Sequence, residues 1–196
     1  MKTFRIALWV AAALLAGATL AVFWTMHDTN RTMITNEPYG SPFQLVDQNG
    51  DPVTEQALRG RPSAVFFGFT HCPEVCPTTL YELSGFQKEI ASEGGKPFQI
   101  VFVTVDPERD RPETLKNYVE SLSDDVLAIT GEPQKIAQML KGWGVIAEKD
   151  GDGANYNMNH TATTFLIDAD GRLAGTIGYG EDADMARGKL EKLSGV

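Results

Sequence analysis

The chain has 196 residues, enough for one ordinary globular domain and an additional segment. Apolar residues make up 42% of it, which suits a protein with a buried core, and the formal charge is -9 with a pI near 4.8. Because the sequence also lacks any run of Lys and Arg, this charge excludes nucleic acid as the expected partner.

The N-terminus contains the most apolar segment of the chain. Two basic residues precede an uncharged run over 6–24, which can cross a hydrocarbon core of about 30 Å at about 1.5 Å per residue. The charge bias places residues 1–5 in the cytoplasm and the later residues outside. We therefore predict a single-pass anchor in the inner (cytoplasmic) membrane, a tether over 25–38 and a periplasmic C-terminal domain. The small residues around Gly17 leave a cleaved secretory signal as the alternative.

Strand and helix patterns alternate along residues 39–196, the predicted folded domain, and this order favours parallel pairing with crossovers. Residues 148–157 are rich in Gly, Asp and Asn and predict a mobile loop. The whole order predicts an α/β, thioredoxin-like fold with an N-terminal β-hairpin extension, preceded by one transmembrane helix. The predicted elements are a hairpin around Asn49-Gly50, strands over 63–70, 98–105, 126–129, 161–167 and 172–179, and helices over 78–91, 112–122, 132–140 and 182–193.

Cys72 and Cys76 lie where a predicted strand passes into a helix. A bridge between them would close a loop of only three residues and would stabilise the fold little, so a purely structural disulfide is disfavoured. The N-terminus of a helix stabilises a thiolate, and this predicts lowered thiol pKa values. The spacing therefore indicates a redox dithiol or a site for a soft metal ion.

A third residue separates these two possibilities. Two thiolates and an imidazole are suitable ligands for copper, whereas a redox dithiol without a metal needs no histidine. Of the three histidines, His27 lies in the tether and His71 is predicted to point away from Cys72, which leaves His160. Taken alone, a single histidine of this kind is more typical of a core or loop position.

Three segments of the chain resemble the SCO/SenC family: Gly68–Pro77, Val105–Asp110 and Met158–Thr161. Proteins of that family are thioredoxin-like copper chaperones that help to build the dinuclear copper centre of cytochrome c oxidase. The resemblance covers nearly the whole predicted domain. It implies that Cys72, Cys76 and His160 are the copper ligands.

The function that the resemblance implies is delivery of Cu(I) or Cu(II), not enzymatic catalysis. Its implied partners are the copper-bearing subunit of cytochrome c oxidase and a second copper chaperone as donor, and reduction of the target's cysteines could accompany delivery. An extracytoplasmic thiol-disulfide oxidoreductase without a metal is the alternative. A peroxidase is disfavoured, because Phe69 and Pro73 stand where the peroxiredoxin motif needs proline and threonine or serine.

The chain departs from related patterns at two places. Asn159 stands where the SCO/SenC family often has an acidic residue before its histidine. No proline occurs between Gly151 and Phe165, where a thioredoxin has a cis-proline beside its dithiol, and this disfavours a general oxidoreductase.

Asp106 and Asp110 match a family element implicated in partner contacts or copper handling. A structural interpretation is favoured for both. Asp110 and Glu113 have the spacing of a capping box, with Pro112 in the first helical turn, and Asp106 belongs to a turn signal.

Overall fold

The computed structural model describes residues 38–196, apart from positions 124 and 154, and five positions nearer the N-terminus: 9, 15, 16, 17 and 19. The chain divides into two compact units, Met1–Asn36 and Glu37–Val196. Among the described residues, none belongs to a helix that is long and apolar enough to cross a membrane. The segments predicted over 1–5, 6–24 and 25–38 lie outside the described residues except at these five positions and at Pro38, and they remain predictions.

The second unit contains nine strands, four α-helices and one short 3-10 helix among its described residues. In chain order they are β1 (Gln44–Asp47), β2 (Pro52–Thr54), the 3-10 helix (Glu55–Leu58), β3 (Ser63–Gly68), α1 (Val75–Ser92), β4 (Gln99–Thr104), α2 (Pro112–Glu120), β5 (Val126–Thr130), α3 (Pro133–Trp143), β6 (Ala147–Asp150), β7 (Asn157–His160), β8 (Thr163–Ile167), β9 (Leu173–Gly178) and α4 (Ala183–Ser194).

Seven strands form the main sheet in the order β2-β1-β5-β4-β3-β8-β9. β3, β4 and β5 are parallel, and the remaining strands join antiparallel. Every residue of β3 and β4 is buried, which explains why both appear in the sequence as continuous apolar runs. The predicted α/β fold and its N-terminal hairpin are confirmed, with element ends displaced by about one helical turn at most.

The predicted loop over 148–157 is wrong for part of its length, because β6 and β7 form a hairpin there. Ala147 lies opposite His160, and Lys149 lies opposite Met158. Glycine and aspartate residues concentrate in the turn, whereas the flanking residues have backbone partners that composition does not reveal. Within the described residues, β6 and β7 pair only with each other, so this hairpin is separate from the main sheet.

Candidate metal centre

The loop between β3 and α1 carries both cysteines, as the sequence predicts. Cys72 lies in the loop, and Cys76 is the second residue of α1. The backbone N–H of Cys76 donates to Cys72 Sγ at 3.4 Å, while Glu74 at the N-cap makes no side-chain capping bond. The Cys72 sulfur thus satisfies one of the free N–H groups of the helix N-terminus. Both cysteines are free thiols.

Cys76 is fully buried, whereas Cys72 is half-buried. Gly68 makes room for the Cys76 sulfur, since a Cβ at position 68 would lie 2.8 Å from Cys76 Sγ and 2.7 Å from the Phe102 ring. Burial raises the pKa of the Cys76 thiol well above its ordinary value, and the nearby Cys72 raises it further. The expected lowering of the thiol pKa is therefore wrong for Cys76, because desolvation outweighs the backbone donors.

His160 approaches the cysteines from the end of β7. Its Nδ1 lies 3.1 Å from the Thr161 carbonyl oxygen, to which the Nδ1–H donates, so Nε2 has the free lone pair. Nε2 lies 3.9 Å from Cys76 Sγ. The rings of Phe66 and Phe69 pack against the imidazole, with centroid separations of 6.3 and 5.7 Å. Burial lowers the pKa of His160, which keeps the ring neutral and able to bind a metal at pH 7.

The distance between Cys76 Sγ and His160 Nε2 can be compared with the distance between two ligand atoms of one metal ion. Sulfur and nitrogen ligands at about 2.3 and 2.0 Å from one ion are about 3.5 to 3.7 Å apart at tetrahedral or trigonal angles. The observed 3.9 Å between Cys76 Sγ and His160 Nε2 is close to this range. In the part of the chain that the structure describes, no group of three or more His, Cys, Asp or Glu side chains is arranged so that it could hold a metal ion.

Two residues next to the proposed ligands in the sequence, His71 and Asn159, are exposed. His71 is exposed, and its Nδ1 is 3.1 Å from Thr70 Oγ1. His27 lies outside the described residues. Asn159 is exposed, and strand alternation directs its side chain away from the face that His160 occupies. His160 is thus the histidine that the structure places beside Cys76.

Asp110 does not cap α2, so the predicted capping box is wrong. The N-cap of α2 is Arg111, which makes no side-chain capping bond. Asp110 is instead fully buried, and its carboxylate accepts from Thr70 N at 3.0 Å, from Thr70 Oγ1 at 2.6 Å and from Thr104 Oγ1 at 2.7 Å. Burial raises the pKa of Asp110, while the hydrogen bonds from Thr70 and Thr104 oppose that rise. Asp110 thereby connects the end of β4 to the loop that carries Cys72.

Asp106 is also buried and takes part in a second polar cluster. Its carboxylate accepts hydrogen bonds from Arg109 Nε and, at 2.6 Å, from the Tyr156 hydroxyl. Arg109 Nη1 donates to the Tyr156 carbonyl oxygen at 2.9 Å. Asp106 therefore connects the loop after β4 to the hairpin that carries His160. The sequence predicts only a turn at Asp106 and does not predict these side-chain contacts.

Sequence reasoning missed Gly68 and Tyr156. Gly68 ends an apolar strand, where a glycine is uncommon and indicates close approach of another group. Tyr156 is buried although it lies within a segment of polar and small residues. A single aromatic side chain among such residues was the signal in the sequence that it packs against the domain.

Fold and site together define a thioredoxin-like protein with a pair of cysteines, one of them fully buried, and an adjoining histidine. Its residues 31–195 match the sequence model of the SCO1/SenC family. The chain belongs to that family, which confirms the resemblance identified from the three motif segments.

Individual relatives agree with this assignment. The SCO2-like protein RP587 of Rickettsia prowazekii is 38% identical over 136 residues, covering 68% of this chain and 66% of the relative, or about two thirds of its length. The structure of Bradyrhizobium japonicum ScoI with copper bound matches at a TM-score of 0.70 and 39% identity, over 79% of this chain and 98% of that chain. The structure of BsSco, a member of the Sco family of cytochrome c oxidase assembly proteins with a disulfide switch, matches at a TM-score of 0.64 and 26% identity. The match covers 80% of this chain and 94% of that chain.

Proposed function

We propose that this chain is a copper chaperone in which Cys72, Cys76 and His160 bind a copper ion as cargo. The observation that carries the proposal is the approach of His160 Nε2 to within 3.9 Å of Cys76 Sγ, with Nδ1 already occupied by a backbone carbonyl. Two thiolates and a neutral imidazole form a ligand set suited to Cu(I) and able to hold Cu(II). The copper-bound structure of a related ScoI supports this choice of metal.

Binding requires deprotonation of the Cys76 thiol. In the metal-free protein, burial keeps this thiol protonated, since a buried thiolate without a counterion is costly. A copper ion supplies that positive charge, so binding releases the proton. Cys76 is therefore neutral in the empty site, and the copper ion compensates its thiolate charge in the loaded site.

Delivery requires that a ligand can leave the ion. His160 is suited to this role because it lies on a hairpin separate from the main sheet, whereas the loop with Cys72 is fixed by Asp110. The acceptor we propose is the copper-bearing subunit of cytochrome c oxidase, supported by the assembly role of the related BsSco. A second copper chaperone would be the donor.

The N-terminal segment supports a proposal for the cellular location of the protein. We propose that residues 6–24 form a single-pass anchor in the inner membrane, residues 25–38 a tether, and residues 39–196 a domain on the periplasmic side. The uncharged run and the preceding basic residues support this orientation.

An anaerobic Cu(I) titration with a competing chelator tests the ligand set. We expect Cys72→Ser and Cys76→Ser to abolish tight binding and His160→Ala to weaken it about tenfold or more. His71→Ala is the matched control, because His71 adjoins Cys72 but is exposed. Equal affinities of the wild type and His160→Ala would refute the three-ligand proposal.

A thiol-disulfide reductase is the second candidate, favoured by a half-buried Cys72 next to a fully buried Cys76. In such a reaction the Cys72 thiolate attacks a target disulfide, and the Cys76 thiolate then displaces the target's sulfur. Two electrons pass to the target, and Cys72 and Cys76 become a disulfide. The disulfide switch of the related BsSco supports this role. We expect His160→Ala to retain such activity, and its loss would contradict a pure dithiol mechanism.

A further inference from the structure

Side-chain contacts hold the β6–β7 hairpin against the rest of the domain. Its strands form no ladder with the main sheet among the described residues. At its open end, Thr161 N donates to the Ile146 carbonyl at 3.0 Å, a bond that joins the two arms of the hairpin to each other. Among the described residues, no strand ladder therefore fixes this hairpin to the main sheet.

Near its turn, the hairpin makes several polar contacts that involve Tyr156, besides an ion pair between Lys149 Nζ and Glu108 at 3.0 Å. The Tyr156 hydroxyl donates to Asp106 at 2.6 Å, and the Tyr156 carbonyl accepts from Arg109 at 2.9 Å. The guanidinium carbon of Arg109 lies 3.7 Å from the Tyr156 ring centroid, and Lys149 Nζ lies 3.8 Å from it. We name these four residues, Asp106, Arg109, Lys149 and Tyr156, the Tyr156 clamp.

The loop over 106–110 contacts both segments that carry the proposed copper ligands. At one end, Asp106 and Arg109 hold Tyr156, which lies four residues before His160. At the other end, Asp110 holds Thr70, which lies two residues before Cys72. The loop over 106–110 therefore bonds to both the segment before Cys72 and the segment before His160.

We propose that the Tyr156 clamp positions His160: when closed, it holds Nε2 beside Cys76, and when opened, it lets the hairpin carry the imidazole away from the ion. This inference rests on the proposed copper function. Tyr156 acts through His160 and touches neither the ion nor the sulfurs. The hydrogen bonds and ring contacts of the clamp can break without loss of a strand ladder in the main sheet.

The test compares Tyr156→Phe, which removes only the hydroxyl, with Tyr81→Phe, whose hydroxyl belongs to an exposed tyrosine of α1. The full chain is loaded with Cu(I), and transfer of the ion to an excess of a soluble Cu(I) chelator is timed. Losing a hydrogen bond to a carboxylate should speed transfer about three- to tenfold in Tyr156→Phe and leave Tyr81→Phe unchanged.

A double-mutant cycle with His160→Ala separates positioning from general destabilisation. If Tyr156 acts through His160, Tyr156→Phe adds nothing to the transfer rate in the His160→Ala background. A wild-type transfer rate in Tyr156→Phe, or an undiminished effect in the His160→Ala background, would overturn the proposal.

A copper-free measurement distinguishes failure of the clamp from failure of the copper function. Diethyl pyrocarbonate modifies exposed imidazoles, and peptide mass spectrometry reports His160 and His71 separately. We expect modification of His160 to be about threefold or more faster in apo Tyr156→Phe, with His71 unchanged. An unchanged His160 rate refutes the clamp. A faster rate together with unaltered copper binding in His160→Ala supports the clamp and refutes the histidine as a copper ligand.

Discussion

Burial has opposite effects on the pKa values of the two closest site residues. It raises the pKa of the Cys76 thiol and lowers that of His160, so both groups are neutral at pH 7 in the metal-free protein. A neutral imidazole is ready to bind a metal, whereas the thiol must first lose its proton. Copper binding should therefore release a proton from Cys76 and tighten as the pH rises.

The raised pKa of Cys76 also predicts how the stability of the apo protein depends on pH. The folded state keeps the Cys76 proton to higher pH than the unfolded state, whose thiol has a pKa of about 8.5. This stabilisation is complete below that value and declines above it. We expect the wild type to lose about 1 kcal/mol relative to Cys76→Ser between roughly pH 8.5 and 9.5 in urea unfolding. Parallel pH profiles would contradict a buried protonated thiol.

Gly68 is the residue whose lack of a side chain creates the thiol site. A Cβ there would lie 2.8 Å from Cys76 Sγ and 2.7 Å from the Phe102 ring, with little room for either to move. We expect Gly68→Ala to lower the free energy of unfolding by about 1 to 3 kcal/mol and to weaken copper binding. Gly85→Ala in α1 is the control, because a Cβ there meets open space. Equal stabilities of the two variants would show that position 68 tolerates a side chain.

At the scale of elements, the site is built where a strand-loop-helix unit meets a separate hairpin. β3 and α1 fix the cysteines, and the hairpin supplies His160. The loop between β4 and α2 joins the two, because Asp110 and Asp106 bond to opposite sides of the site. Geometry at the proposed metal centre thus depends on residues that do not touch the ion.

Asp110 offers a direct test of this connection. Replacing it with alanine leaves the Thr70 N–H and two threonine hydroxyls without their buried acceptor, so we expect a loss of about 2 to 4 kcal/mol in unfolding free energy and weaker copper binding. Glu113→Ala is the control, since a capping box would make both residues matter. We expect it to change stability by less than about 0.5 kcal/mol. A similar loss in both variants would restore the capping interpretation.

At the scale of the whole molecule, one unit, Glu37–Val196, contains the core and the entire site. Its main sheet buries β3 and β4 completely, which gives the cysteine loop a rigid base. The apolar run over 6–24 belongs to the other unit. The proposed copper site and the proposed membrane anchor therefore belong to different units.

This separation predicts the behaviour of a truncated chain. We expect residues 37–196 to unfold cooperatively and to bind copper with the affinity of the full chain, but to appear in the soluble fraction of cells. In the full chain, Leu15→Arg should release the protein from membranes, because a charge within the apolar run is costly there. Membrane association of the truncated chain would contradict the anchor.

Much of the fold was readable from the sequence. Buried strands, amphipathic helices and the Asn-Gly hairpin each have a local period or turn signal, and these signals placed nearly every element of the main sheet. The cysteine pair was equally readable, because its position depends only on the strand before it and the helix after it. Asp110 and the stretch over 148–157 were misread, since local patterns cannot show which distant donor or strand a residue will meet.

What the sequence by itself determined is the order of elements and the strand-to-helix position of Cys72 and Cys76. Only the tertiary structure decided that Cys76 is fully buried, that His160 Nε2 lies 3.9 Å from its sulfur, and that Tyr156 bonds to Asp106. The reason is physical: hydrophobic periodicity and turn chemistry act between neighbours in the chain. Desolvation, and contacts between residues that are 84 or 50 positions apart in the chain, exist only once the chain has packed.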